Sequence, residues 1–267
     1  MTLVIAQKNE NNISLSSDSR ASLGGDRYVD NCIKIFSVPI KIFYPTSEDG
    51  NTRLFYESKL GVAVIGSLTN AYLVKDSISE ILQRVQFSPL ITNTSFESII
   101  NLINLFYKKY FENFSAFKSN SFFCEIIITG YCLEQKKMRA FSLSIESKDS
   151  QYQPKQEELF MNKDIYFTGS GKIKAEEIYE NDNTLNPLKI IKKIVIEKSV
   201  DTVGGGLQYG EFNGNEFKIY GILDYSVDSN GNFNNYLFSL WGINLYTNEF
   251  EEDTNGLHIS FSFKEPF

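Results

Sequence analysis

Apolar residues cluster into short runs near the start of the chain and into helical stripes further along. Thr2-Leu3-Val4-Ile5-Ala6 and Ile13-Ser14-Leu15-Ser16-Ser17 flank the polar stretch Gln7–Asn12, which predicts two strands joined by a turn. Such a hairpin returns Asp18 to the side of Thr2. Cys32–Val38 alternates so that Lys34 points away from Ile33 and Ile35, and a lone lysine in an apolar strand needs a partner. Asp18 is the nearest candidate in sequence. Leu60–Gly66 is a further strand. Leu73, Val74, Ile78, Ile81, Leu82 and Val85 recur at helical spacing and predict a helix over Asn70–Phe87. Phe96, Ile99, Ile100, Ile103, Tyr107 and Phe111 predict a second over Ser95–Phe114. Ser121–Cys132 and Met138–Glu146 alternate as strands, with Ser147–Glu158 as a polar connection. Ile165–Phe167 leads to the turn Gly169-Ser170-Gly171. Helices follow over Lys172–Glu180 and over Pro187–Lys198, the latter capped by Asn186 ahead of its first-turn proline. Gly210–Tyr225 reads as two closing strands joined at Asn213-Gly214, and Tyr236–Tyr246 and Leu257–Phe263 are strand-like.

Composition narrows the function classes. The 267 residues carry 42% hydrophobic side chains, enough for one large domain with a sizeable core. A formal charge of −7 argues against a general nucleic-acid or anionic-membrane surface. No run reaches membrane-span length and no basic-then-apolar leader is present, so a soluble, cytoplasmic protein is expected. Cys32, Cys124 and Cys132 are odd in number and lack metal-ligand spacing, which suits reduced thiols. The one histidine, His258, reads as a surface or satisfied strand residue, which disfavours histidine-based catalysis and zinc. Asp228-Ser229-Asn230-Gly231-Asn232 lacks the glycine and final acid of a calcium loop and reads as a turn. Neither a metal nor another cofactor is expected.

The remaining chemistry lies at the start. A small second residue such as Thr2 is the condition under which Met1 is removed, leaving a hydroxyl nucleophile and a free α-amine on one residue. That amine has a pKa of about 7.7 to 8.0 and is partly neutral near pH 7, so it can take the hydroxyl proton. A fixed Lys34 ammonium paired with Asp18 would lower the cost of an alkoxide.

These residues resemble proteasome β-type subunits and the related peptidase subunit of the bacterial ATP-dependent protease, which are N-terminal-nucleophile hydrolases. Asp18-Ser19-Arg20-Ala21-Ser22 looks like the family's Asp-Ser-Arg-Ala-Thr segment. Asn31-Cys32-Ile33-Lys34-Ile35-Phe36 looks like its Asn-Cys-x-Lys-Ile-Phe strand. The resemblance covers roughly 2–225. It implies an α+β, four-layer αββα sandwich spanning 1–225, with 226–267 as a C-terminal extension and the irregular 39–59 as an insertion, either a cover over Thr2 or an extended hairpin.

It also implies roles: Thr2 as nucleophile, Lys34 as fixed charge held by Asp18, Gly66 N–H as oxyanion donor at the start of a helix, and Ser170 with Asp201 positioning the amine. Ala21, Cys32, Phe36, Val64 and Leu68 would line an apolar pocket for the residue before the cut bond. One departure stands out: Gly204 replaces a serine in the family's Asp-x-x-Ser-Gly-Gly turn. The implied function is a threonine-type peptidase acting on peptides or proteins as a ring-forming homo-oligomer, with room for an ATPase partner. A noncatalytic scaffold subunit and a small-molecule amidase on the same fold are the alternatives.

Overall fold

The computed structural model describes residues 2–23, 27–46, 50–88, 94–114, 124–148, 151–227, 233–245 and 260–266. The calcium-loop-like stretch 228–232 and His258 lie outside them. The elements in chain order are β1 (Leu3–Asn9), β2 (Asn12–Asp18), β3 (Ala21–Ser22), β4 (Tyr28–Val29), β5 (Ile35–Phe43), β6 (Leu54–Gly66), α1 (Leu68–Leu82) and β7 (Val85–Gln86). They continue with α2 (Phe96–Phe114), β8 (Cys124–Cys132), β9 (Lys137–Lys148), β10 (Gln151–Glu158), β11 (Ile165–Gly169), α3 (Lys172–Asn181) and α4 (Pro187–Glu197). The chain then forms β12 (Leu207–Asn213), β13 (Glu216–Val227), β14 (Phe233–Leu240), β15 (Ile243–Asn244) and β16 (Phe263–Lys264).

The protein is a mixed α/β fold. Its main strand path runs β10-β9-β8-β6-β13-β12-β2-β1-β11, while β5 pairs with β6 and β14 with β13. The two halves of this path meet at a single paired position, Lys59 opposite Glu216. Three apolar clusters follow from strand alternation. Val4 and Ala6 face Ile35, Ala63, Ile65 and Ile127, so one cluster joins the two halves. Leu3 and Ile5 face the other way, onto Ala175 of α3 and Leu188, Ile191 and Ile194 of α4. Val62, Val64, Ile126 and Ile128 meet α1 and α2 through Val74, Ile78, Ile100 and Tyr107. Apolar partners on both faces explain why β1 is a continuous hydrophobic run rather than an alternating one.

Helix α4 shows how local sequence fixes an element. Asn186 is its N-cap and accepts from the Lys189 N–H, Pro187 opens the first turn, and Lys198 closes the helix in the left-handed conformation. Asn186→Ala is expected to cost about 1 kcal/mol, read as a lowered midpoint in urea unfolding.

Five sequence expectations change, one of them the strand-like run Tyr236–Tyr246, which turns at Trp241–Gly242 and divides between β14 and β15. The first helix ends at Leu82 instead of Phe87, because Val85 and Gln86 form β7 and pair in parallel with Ile42 and Phe43 of β5. Phe87 joins an aromatic group with Tyr44 and Phe55. Apolar Val85 and Phe87 had extended the helical spacing past its true end. Ser147–Glu158 is largely strand: β10 pairs with β9 from Gln151 opposite Lys148 to Glu158 opposite Phe141. Its lysine and glutamates pair on an exposed surface, Lys155 with Glu146 and Glu157, so polarity concealed the strand.

Within the 39–59 segment, 39–43 and 54–59 are regular paired strand, the extended hairpin of the two readings, and not irregular chain. Val38, Ile40 and Ile42 alternate inward, and the register runs from Ile35 opposite Ala63 to Phe43 opposite Leu54. That carries the Phe43–Leu54 end of the pairing about 30 Å along the strand direction away from Lys34. Finally, Lys34 precedes β5 rather than lying within it. The Gln208 side chain replaces the missing ladder partner, accepting from Lys34 N–H (2.8 Å) and Ile35 N–H (3.2 Å) and donating to the Cys32 carbonyl (2.7 Å).

Among the described residues, no helix is long and apolar enough to cross a membrane.

Candidate active site

The β1–β2 hairpin places Val4 opposite Ser17, so Asp18 falls beside Leu3, from where its carboxylate reaches the neighbouring Thr2. Asp18 Oδ1 accepts from the Thr2 hydroxyl (3.1 Å), the Leu3 N–H (2.9 Å) and the Lys34 ammonium (2.8 Å). Oδ2 accepts from Arg20 N–H (3.2 Å) and Gly204 N–H (3.1 Å). Both partners of the Lys34–Asp18 pair have fully buried side chains, and Thr2 is 1% exposed. Burial holds the Lys34 ammonium below the ordinary lysine range, while the Asp18 charge and hydrogen bond work against that shift. A charge pair this dry is sustained only because every lone pair of the carboxylate is directed at a donor.

Ser170 sits in the turn after β11. Its hydroxyl donates to the Thr2 carbonyl (3.3 Å) and lies 2.7 Å from the Thr202 hydroxyl, and Gly171 N–H also reaches the Thr2 carbonyl (3.4 Å). Asp201 is exposed, and its backbone carbonyl accepts from the Arg20 guanidinium (3.1 Å). Gly66 ends β6 at φ +93°, a conformation glycine adopts without strain, directly before Ser67, the N-cap of α1. Ser67 makes no side-chain cap bond, so the first-turn N–H groups of α1 are not closed off by it.

Gly204 has a spatial explanation. A Cβ there would lie 2.4 Å from Arg20 Cζ, so the guanidinium fills the room of the resembled serine. Arg20 is fixed by paired bonds to Asp30 (2.7 and 2.9 Å) and stacks over the Tyr28 ring at 5.0 Å. The Asp30 carboxylate is held below its usual range chiefly by that hydrogen bond.

Of the residues expected to line a substrate pocket, Val64 is fully buried, with Phe36 and Leu68 packed against the same cluster. Ala21 is buried on β3, and half-buried Cys32 is tied to the turn after β2 by its N–H on the Ser19 carbonyl (2.9 Å). Burial raises the Cys32 thiol pKa. Tyr72 sets its ring edge-on to Phe36 (5.7 Å) and donates to the Ile33 carbonyl (2.7 Å), and burial pushes its hydroxyl up to about 12. The Lys75 ammonium lies over the Phe36 ring at 4.8 Å.

Sequence reasoning missed Gln208, Thr202, Tyr72 and the Arg20–Asp30 pair. A polar Gln208 between apolar strand positions was the one available signal. Tyr72 occupies a helical position where an aromatic ring reads as core. Among the described residues, no cluster of histidine, cysteine or acidic side chains could hold a metal ion.

No protein-family model matches the chain, and no curated protein matches it. Solved structures do. Anbu (ancestral beta-subunit) from Yersinia bercovieri aligns over 79% of this chain and 81% of its own, with 15% identity and a TM-score of 0.54. An Anbu (Gly-1) mutant from Hyphomicrobium sp. strain MC1 aligns over 94% and 91%, with 12% identity and a TM-score of 0.57. The Anbu complex from Pseudomonas aeruginosa, described as a helical assembly, aligns over 82% and 85%, with 16% identity and a TM-score of 0.54. At these identities the likeness is one of fold.

Proposed function

We propose, from the fold shared with the Anbu proteins, that this chain is a proteasome-like threonine peptidase whose nucleophile is Thr2 after removal of Met1. The observation that carries the reading is the buried Thr2–Asp18–Lys34 arrangement at the start of the chain. The freed α-amine takes the proton as Thr2 Oγ attacks the substrate carbonyl. Gly66 N–H stabilises the oxyanion, aided by the positive end of α1, and Lys34 offsets charge on the attacking oxygen. The tetrahedral adduct collapses as the amine returns its proton to the departing nitrogen. Water, deprotonated by the same amine, then releases the acyl group from Thr2. Ser170, Thr202 and Asp201 position the amine, and Ala21, Cys32, Phe36, Val64 and Leu68 select an apolar residue before the cut bond.

The three apolar clusters support stacked helix, sheet, sheet and helix layers. The family core would be 1–225, with 226–267 added to it. Assembly into a homo-oligomer is part of the reading, in keeping with the helical assembly of the Pseudomonas aeruginosa relative in fold.

One observation favours a noncatalytic scaffold instead: Asp201 is exposed, and its bond to Arg20 is made by the backbone carbonyl. A pH–rate profile on short peptide amides separates the two. The rate should rise as the α-amine loses its proton, near pH 7.7 to 8.0. It should fall again where Lys34 deprotonates, and because burial lowers that pKa, this alkaline limb lies below the ordinary lysine value of about 10.4. Peptides with apolar residues before the bond should turn over faster than acidic ones. No hydrolysis at any pH by chain lacking Met1 would leave the scaffold reading standing.

A further inference from the structure

The C-terminal segment reaches the catalytic loops through one turn. Leu240 pairs with Ile243, so β14 and β15 are joined by the two residues Trp241 and Gly242, at φ +52° and +84°. Positive φ at both positions is the geometry that suits a tight hairpin, but its first position favours Asn, Asp or Gly. A tryptophan there is an outlier, of the kind that persists only when the surroundings impose it.

Those surroundings are the loops that hold Asp18. A Cβ on Gly206 would lie 2.3 Å from Gly242 Cα, so the two backbones touch. A Cβ on Gly242 would lie 2.6 Å from Ser19 Oγ and 3.2 Å from the Asp30 carbonyl. The Ser19 hydroxyl is completely buried; it donates to that carbonyl and accepts from Gly206 N–H (2.8 Å). Ser19 N–H in turn donates to the Gly204 carbonyl (3.2 Å). The residues on either side of these bonds are the ones whose N–H groups hold Asp18 Oδ2, namely Arg20 and Gly204.

We infer that the Trp241–Gly242 turn is a positioning element for the catalytic centre: it seats the Ser19 hydroxyl between Gly206 and Asp30 and thereby fixes the two loops that orient Asp18. This rests on the reading of Thr2 as nucleophile. The physical content is that Asp18 aims both Thr2 and Lys34, and its Oδ2 donors come from two loops whose spacing is set by one buried hydroxyl. Removing the close-fitting turn lets that spacing drift, and a shift of about 1 Å at a catalytic group can cost on the order of a hundredfold in rate.

The test compares the full chain with Gly242→Ala, Ser19→Ala and Gly214→Ala. Gly214 serves as the control, because it has a similar φ of +63° and nothing within 4 Å of an added Cβ. Backbone strain alone is therefore reproduced away from the site. Two readouts are taken: steady-state hydrolysis of a peptide amide, and amide hydrogen exchange by mass spectrometry over the segments containing Arg20 and Gly204–Gly206.

Gly242→Ala is expected to lower kcat about tenfold to a hundredfold with KM little changed, and to speed exchange in both segments while the β1–β2 hairpin stays protected. Ser19→Ala should give the same pattern, and carries the test if Gly242→Ala does not fold. Gly214→Ala should match the unaltered chain in kcat and in exchange at those segments. The inference is overturned if exchange there is unchanged in Gly242→Ala and Ser19→Ala, or if their kcat follows that of Gly214→Ala. Should the unaltered chain hydrolyse nothing, the peptidase reading fails by itself. The exchange arm then still decides whether the turn seats the loops.

Discussion

Thr2→Ala is expected to leave a folded chain whose amide hydrolysis has fallen by on the order of 10⁴ to 10⁶, the scale seen when a catalytic nucleophile is removed. The α-amine remains, so a general base alone is left with no attacking oxygen. Stability should change little. Asp18 loses one donor, worth about 1 kcal/mol, but keeps Lys34, Leu3, Arg20 and Gly204. Turnover of a peptide amide and a urea unfolding curve on the same preparation check both halves. Unchanged turnover would place the chemistry elsewhere in the molecule.

Lys34→Met should be costly in both respects. The Lys34–Asp18 pair has no solvent exposure on either side, so the substitution leaves a carboxylate buried without its counter-charge, a loss of about 3 to 5 kcal/mol. Peptide hydrolysis should be lost as well, since the positive charge beside Thr2 disappears. Combining Lys34→Met with Asp18→Asn removes both charges and should recover part of the stability while recovering none of the activity. Urea midpoints for the two single variants and the double variant measure the first effect, and kcat measures the second. If Lys34→Met alone retained full turnover, the ammonium would have no part in the reaction.

The contacts among Thr2, Asp18 and Lys34 were legible because they follow from a local pattern. A hairpin of known register brings residues 2 and 18 together, and an unmatched lysine in an apolar stretch demands a buried acid. Helix α4 was equally readable, since Asn186 and Pro187 announce its first turn. What sequence did not reveal depends on contacts between distant segments. Val85 and Phe87 look helical until Ile42–Phe43 is available to pair with Val85 and Gln86 and to accept from the Phe87 N–H. Gln208 acts as a ladder partner for Lys34 across 174 positions, and a polar residue between apolar strand positions marks only that it needs a partner, not which one. Gly204 reads as a lost serine until the Arg20 guanidinium is seen in its space. The tie between Gly242 and Ser19 is of the same kind, a backbone approach that leaves no compositional trace beyond a glycine.

The central claim is a working N-terminal threonine, and the most direct measurement is the intact mass of purified native-terminus protein before and after incubation with a peptide epoxyketone, a warhead that needs both the hydroxyl and the free amine. The account predicts the loss of one methionine mass, followed by a single stoichiometric adduct that Thr2→Ala does not form. Retained Met1 with no adduct would contradict it and assign the chain a scaffold role.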